Sequence, residues 1–395
     1  MNDSAFLKFT LLNIFLLFFG IAITKAQKVI FPRDFSPTEG LITPQEKPYR
    51  DEVCLNGYWE LQCVPVPSSW KGGTGIAPEL PAPQADKWET VKIKIPSAIN
   101  VNDWGRGSNV GEGTRNPYTP SSVYYPSYPD NWKHTRMGWL RKNFRVPAGW
   151  NGKRLLLHFE AVAGDCVLLV NGKEVCHNFD SHLPFNADIS DYVNRDADNE
   201  LLVGVRHTKL FDKSHPVYTK MGAIYPTGSN TDDLIGIWQD VYLFGVPEVR
   251  ITDVFVQPWV DRNKLVLEIA LTNLSSKNKK IALNGVVKEW VNHAGKDVLT
   301  APEINWSLGE TALTIPSEPI TLRAGESKTV TVRQKVDNNL KYWTPDTPNL
   351  YTLLLSLGDK KQTYDCKATR FGWRQLKLVG DCLLYTSPSP RDISG

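Results

Sequence analysis

Residues 138–179 constrain the fold more than any other part of the chain. They read GWLRKNFRVP, then GKRLLLHFEAVAGD, then CVLLVNGKEVCHNF, with only a short join after the first block. In extended backbone Leu140, Phe144 and Val146 fall on one face and Arg141, Asn143 and Arg145 on the other. Leu155, Leu157 and Phe159 alternate in the same way with Leu156, His158 and Glu160. Successive strand side chains point to opposite faces, so period-two runs cut by Pro-Ala-Gly and Ala-Gly-Asp predict antiparallel strands. Asn171-Gly172 can supply positive φ at both central positions of a turn, which predicts a type I′ hairpin joining 167–170 to 173–176. Register counted outward from that turn sets Val167 across from Cys176 and Cys166 across from His177. The two thiols then face opposite sides, and no bridge between them is expected.

Composition extends this to the whole chain. With 28 Gly, 27 Pro and 13 Trp among short alternating runs, an all-β chain is favoured. No segment longer than two turns carries a helical period. The formal net charge is +3 and forms no block, so nucleic-acid binding has no electrostatic support. Six cysteines are too thinly spread for a disulfide framework, which export would permit without requiring. The sequence has no glycine-rich phosphate loop and no Gly-x-Ser-x-Gly, which argues against nucleotide binding and serine hydrolysis. His177 with His182, and His207 with His215, lack the accompanying ligands of a zinc site, so neither metal nor cofactor is expected.

Lys8 precedes an apolar run over 9–23, followed by the small residues Thr24 and Ala26. The run is short for a membrane span, so residues 1–26 read as a secretory signal peptide. The mature chain would begin near Gln27, be secreted or periplasmic, and keep no membrane span. Residues 27–53 read as a proline-rich leader lying over a first domain at 54–247. Within that domain 64–87 is loop, 90–95 a strand, and 97–137 and 208–235 long irregular segments of the kind that serve a site or an interface. Pro247 marks a boundary. In 248–374 the strands lengthen: 265–274, 279–289, 329–333 and 350–357. In the last of these, Tyr351, Leu353, Leu355 and Leu357 share a face, which suits an immunoglobulin-like sandwich.

The order of Leu55-Asn56-Gly57-x-Trp59, Ile95-Pro96-Ser97, Gly138-Trp139-Leu140-Arg141-Lys142-x-Phe144 and Val170-Asn171-Gly172-Lys173 resembles glycoside hydrolase family 2. Pro184-Phe185, Asp188-Ile189-Ser190, Asn199-Glu200-Leu201 and Gly236-Ile237-Trp238-Gln239-Asp240-Val241 continue the pattern. Tyr342-Trp343-Thr344-Pro345 and Arg370-Phe371-Gly372-Trp373-Arg374 close it. The resemblance implies a jelly-roll sugar-binding domain, an immunoglobulin-like domain, and then a catalytic TIM barrel. It also implies relatives among β-galactosidases, β-glucuronidases and β-mannosidases. A barrel needs about 250 residues, and only a short tail follows Gly380-Asp381. Residues 375–381 read as the start of a linker to the missing barrel. Residues 382–395, with two Ser-Pro pairs and no strand pattern, read as foreign or misassembled sequence.

Retaining glycoside hydrolysis needs two carboxyl groups about 5–5.5 Å apart. The resemblance places both on the barrel, so this chain is expected to hold no catalytic residue and to be inactive alone. Its sugar contacts are expected in the two long loops. Asn116, Tyr118 and Trp132 are the candidates in the first, because aromatic faces suit the C–H faces of a pyranose and the resemblance brings an Asn-Pro of this loop toward substrate. Asp232 and Asp233 are the candidates in the second. The plainer readings are aromatics packed between domains and an acid ending a turn. Trp238, Trp343 and Trp373 read as structural. The expected function is the non-catalytic N-terminal portion of an exported β-glycosidase. Its partners would be a β-glycoside, its own barrel and a second copy of the chain. The alternatives are a free-standing secreted carbohydrate-binding module and an adhesive sandwich.

Overall fold

The computed structural model describes residues 40–71, 77–100, 128–211, 234–293, 305–379 and 382–386, and strands dominate them. The first domain begins with β1 (Asp51–Cys54), β2 (Gly57–Val64), β3 (Ile93–Ile95) and β4 (Met137–Phe144). It continues with β5 (Arg154–Phe159), β6 (Val162–Ala163), β7 (Asp165–Val170) and β8 (Lys173–Asn178). β9 (Phe185–Asp188), β10 (Asn199–Arg206), β11 (Gly236–Ile237) and β12 (Val241–Val246) complete it. A four-stranded sheet, β1-β12-β5-β9, faces a six-stranded sheet, β3-β2-β4-β10-β7-β8, and β11-β6 forms a ribbon beside them. This is the expected jelly-roll sandwich.

The alternation read from the sequence sets the core. Leu155, Leu157 and Phe159 of β5, with Val241 and Leu243 of β12, meet Trp59, Leu61, Leu140, Leu168 and Val203 of the other sheet, all buried. Truncating a side chain as large as Trp59 to alanine costs about 3–5 kcal/mol in such a core. The outer face of the six-stranded sheet is covered as well. Val64, Met137, Trp139 and Leu202 are buried there beneath Trp70, Leu80 and Trp88 of the proline-rich segment. Gln62 holds that cover by exchanging two hydrogen bonds with the Gln84 backbone, and Trp139 Nε1 donates to Pro81 O at 2.8 Å.

Asn171 (φ 50°) and Gly172 (φ 76°) make the β7–β8 turn as the residues require. Beyond it the register departs from the simple count. Leu168 faces Cys176 but Leu169 faces Glu174, so Val175 is an extra, bulged residue. A single insertion reverses the faces beyond it. Cys166 and Cys176 therefore share the inner face, diagonally placed, and both are free thiols.

The second domain comprises β13 (Val249–Trp259), β14 (Lys264–Asn273), β15 (Lys279–Asn292), β16 (Trp306–Leu322), β17 (Ser327–Lys335), β18 (Leu350–Gly358) and β19 (Thr363–Gly372). Sheets β13-β14-β17 and β16-β15-β18-β19 form an immunoglobulin-like sandwich. The polar turn after β14 crosses from one sheet to the other. Leu265, Leu267 and Ile269 pack against Leu283, Val287, Tyr351, Leu353, Leu355 and Leu357. β16 was not foreseen. After it come β20 (Gln375–Val379) and β21 (Cys382–Thr386), paired antiparallel. The start of the tail, expected to lack strand character, is thus an extended partner of the preceding segment.

The segment read as a leader also does more than lie over the first domain. Ile42 covers Tyr242, Phe244 and Val246 on the outer face of the four-stranded sheet. Asp51 already pairs with Gly245 in that sheet. Between these points Glu46 and Arg50 cross to Lys367 and Asp365 of the second domain.

Candidate functional site

The strand register brings one described end of each long loop to the same end of the jelly roll. Val64 faces Met137, Met137 faces Arg206, and Arg206 faces Asp165 across four neighbouring strands. The first loop therefore leads into β4 at the end where the second leaves β10. Their other ends are joined too. Ile99 N donates to Ile235 O at 2.8 Å, and Ile235 N donates to Asn100 Oδ1 at 3.2 Å. Residues near the start of the first loop are thus bonded to the last residue of the second.

Asn116, Tyr118, Asp232 and Asp233 lie outside the described residues. Trp132 lies within them, in a 3-10 turn over Asp130–His134, and is fully buried. Its ring packs on Tyr128 at 4.8 Å between centroids, within the first core. A fully buried indole has no free face for a pyranose, so packing takes the place of the contact expected of Trp132. Trp238 and Trp373 hold the structural positions foreseen. Trp238 Nε1 donates to Ser181 O at 3.0 Å, and Trp373 is buried in the second core.

Sequence reasoning missed the polar group at this end. Asp165 is buried, and both of its oxygens are engaged. Oδ1 lies 2.7 Å from His177 Nε2, and Oδ2 accepts from Arg206 Nε at 2.7 Å. Arg206 Nη1 also donates to Pro78 O at 2.9 Å, and its guanidinium stands 5.0 Å from the Phe211 ring. His177 leans on Phe179 at 4.4 Å. Beside this group, Gly164 N donates to Ser181 Oγ at 3.0 Å and Lys209 N donates to His207 Nδ1 at 3.0 Å. The only sequence signal was an acid inside an apolar strand, and Gly-Asp reads more naturally as a turn.

A buried carboxylate bonded on one oxygen to the β8 imidazole and on the other to the β10 guanidinium braces β7 against both neighbouring strands. The nearby Cys63 thiol accepts from Thr135 Oγ1 at 3.3 Å, and burial pushes it up to about 12, which leaves it a poor nucleophile. Among the described residues no group of three or more His, Cys, Asp or Glu could hold a metal ion. The arrangement ties β7, β8 and β10 together where the described ends of the two loops join the sheet.

The described residues thus form two β-sandwiches in series, the first carrying the ends of two long loops at one end. Residues 54–247 match the family model for the sugar binding domain of glycosyl hydrolases family 2, and residues 249–374 match that for glycosyl hydrolases family 2, so the chain belongs to this family. A β-galactosidase of Priestia megaterium is 21% identical over 366 residues, spanning 91% of this chain and 31% of its own length. A β-galactosidase of Thermoanaerobacter pseudethanolicus is 26% identical over 262 residues, spanning 66% and 31%. The crystal structure of a Bacteroides uniformis β-glucuronidase matches with a TM-score of 0.55 at 19% identity, over 85% of this chain and 34% of that one, which shows a shared fold. The chain thus spans about a third of the length of these relatives. Among the described residues the sheets form sandwiches and no barrel.

Proposed function

We propose that the chain is the non-catalytic, amino-terminal part of an exported family 2 glycosidase acting on β-galactosides or related β-glycosides. In this reading it braces the catalytic barrel and lends its paired loops to one wall of the sugar site. The observation that carries the proposal is the rooting of both loops at one end of the jelly roll, through Ile99, Asn100 and Ile235 above the Asp165 brace. Loops gathered on a rigid scaffold are where binding residues concentrate. Two carboxyl groups at hydrolytic spacing are still required, and in this reading the barrel supplies them.

The test is to express the 395-residue chain beside the protein encoded by the uninterrupted genomic reading frame. Both would be assayed on nitrophenyl β-galactoside and β-glucuronide. The longer protein is expected to hydrolyse at least one substrate and the chain neither. Hydrolysis by the chain alone would refute this division of labour. A native frame ending at Gly395, with sugar binding by the chain, would favour a free-standing binding module. Export is tested by sequencing the mature N-terminus, expected near Gln27.

A further inference from the structure

An open cleft of about 330 Å³ lies on the surface where the two sandwiches join. Tyr49, Asn151 and Lys153 line it from the jelly roll, and Glu248, Lys279 and Tyr364 from the second domain. Its size falls at the lower end of small-molecule sites, which run from about 300 to 1,000 Å³ and favour domain junctions. The cleft is remote from the loop-bearing end. Lys153 immediately precedes β5, whose far end leads to Val162 and Ala163 beside the loops. Six residues of strand at about 3.3 Å each separate the two places by roughly 20 Å.

The chemistry of the walls is mixed and balanced. Lys153 Nζ is ion-paired with Asp51 and donates to Tyr49 O at 3.1 Å. Lys279 Nζ lies 4.8 Å from the centre of the Tyr364 ring and 3.4 Å from its hydroxyl. The Tyr364 hydroxyl donates to Asp359 Oδ2 at 2.7 Å, which helps hold the Asp359 carboxyl below its ordinary range. Glu248 supplies a further negative charge on the same wall. Asp51 answers Lys153, and Glu248 offsets Lys279 in number though not by an ion pair, so an anion would find no excess of positive charge. An apolar ligand would strand the amide, ammonium and carboxylate groups of the lining. A ligand whose hydroxyls both donate and accept can pair with all of them.

The walls are also held in place. Tyr49 and Tyr364 immediately precede Arg50 and Asp365, whose buried ion pair locks the domains together directly behind the cleft. A site built on so fixed a spacing loses little to ordering when it binds. We infer that this cleft is an accessory site for a neutral mono- or disaccharide, separate from the loop-bearing end and independent of the function proposed for that end.

Isothermal titration of the 395-residue chain with lactose and with cellobiose tests the site, with sulfate and citrate as the anionic comparison. Asn151→Trp is the blocking variant, since Asn151 is exposed and its backbone (φ −61°, ψ 135°) accepts any side chain. The wild-type chain is expected to bind one of the sugars saturably. Asn151→Trp should weaken that binding at least about tenfold while leaving the thermal midpoint unchanged, and Lys279→Met should weaken it less. Three results would overturn the inference: no saturable binding of either sugar, binding that survives Asn151→Trp, or binding of the anions in preference to the sugars.

Discussion

Arg50 and Asp365 stand 315 residues apart and meet in a buried two-point ion pair, Nε 2.9 Å from Oδ1 and Nη2 2.6 Å from Oδ2. Arg50 Nη2 also donates to Ile251 O at 2.5 Å, and Ile251 N donates back to Asp365 Oδ2 at 2.7 Å. Burial works to lower the Arg50 pKa, but the bond and charge of Asp365 outweigh it and hold the guanidinium above its ordinary value. The segment before β1, the first strand of the second domain and its last sheet strand therefore close on one point.

Removing one partner strands a buried charge. Arg50→Ala is expected to cost roughly 3–5 kcal/mol, and the double variant Arg50→Met with Asp365→Leu much less, because it leaves nothing uncompensated. Urea unfolding followed by tryptophan fluorescence checks this. The single variant should also separate one transition into two as the domains uncouple.

What the sequence could show was local. Asn171-Gly172 fixes a turn through the backbone freedom of two adjacent residues, and residues 351–357 declare their inner face by alternation alone. Val175 carries no mark of being a bulge, so the faces of Cys166 and Cys176 were read in the wrong relation. β16 escaped because Gly309, Pro316 and Pro319 interrupt its pattern. An edge strand tolerates proline where a central one does not, and β16 pairs on one side only. Arg50 with Asp365, and Asp165 with Arg206, are polar contacts between distant segments and follow no period.

Gly164 is a position where only glycine fits. Its φ is +101°, and an added Cβ would collide with the carbonyl oxygen of Arg206. Gly164→Ala should cost at least about 1–3 kcal/mol from backbone strain, with the steric conflict added. Thermal unfolding gives the size. Alanine at Gly172, where φ is +76° but an added Cβ has open space, should cost less and separates strain from collision.

Two half-buried thiols, one in each sandwich, give a chemical readout of folding. Burial raises Cys63 to about 12, and burial with the Asp365 charge raises Cys366 to about 11. Against a free thiol near 8.5, the thiolate fraction at pH 8 falls by roughly a thousandfold and a hundredfold. Iodoacetamide labelling with peptide mapping should find both slow in the native chain and fast in urea. Because the folded values lie above the unfolded one, their contribution is fully present below about pH 8.5 and is lost as pH rises through 11 to 12. Stability is therefore expected to fall on the alkaline side.

Asp165→Asn tests whether the brace beneath the loops is needed. The amide keeps the shape but removes the charge that answers Arg206, and hydrogen bonds to charged groups of this kind contribute about 1.5–3 kcal/mol. Arg206 is only partly buried and can turn toward water, so the cost should fall in the lower part of that range. The loss should also be local. Hydrogen exchange should quicken at Met137 and from His207 to Phe211, where the loops join β4 and β10, and remain unchanged in β14 and β18. His177→Gln should do less, because the imidazole is more exposed than the guanidinium and the Arg206 contact survives. In the longer protein of the proposed function, Asp165→Asn should raise KM more than it lowers kcat, since a loosened wall weakens sugar binding without touching the groups that cleave the bond. Unchanged exchange at both loop roots would show that Ile99, Asn100 and Ile235 hold the loops without Asp165.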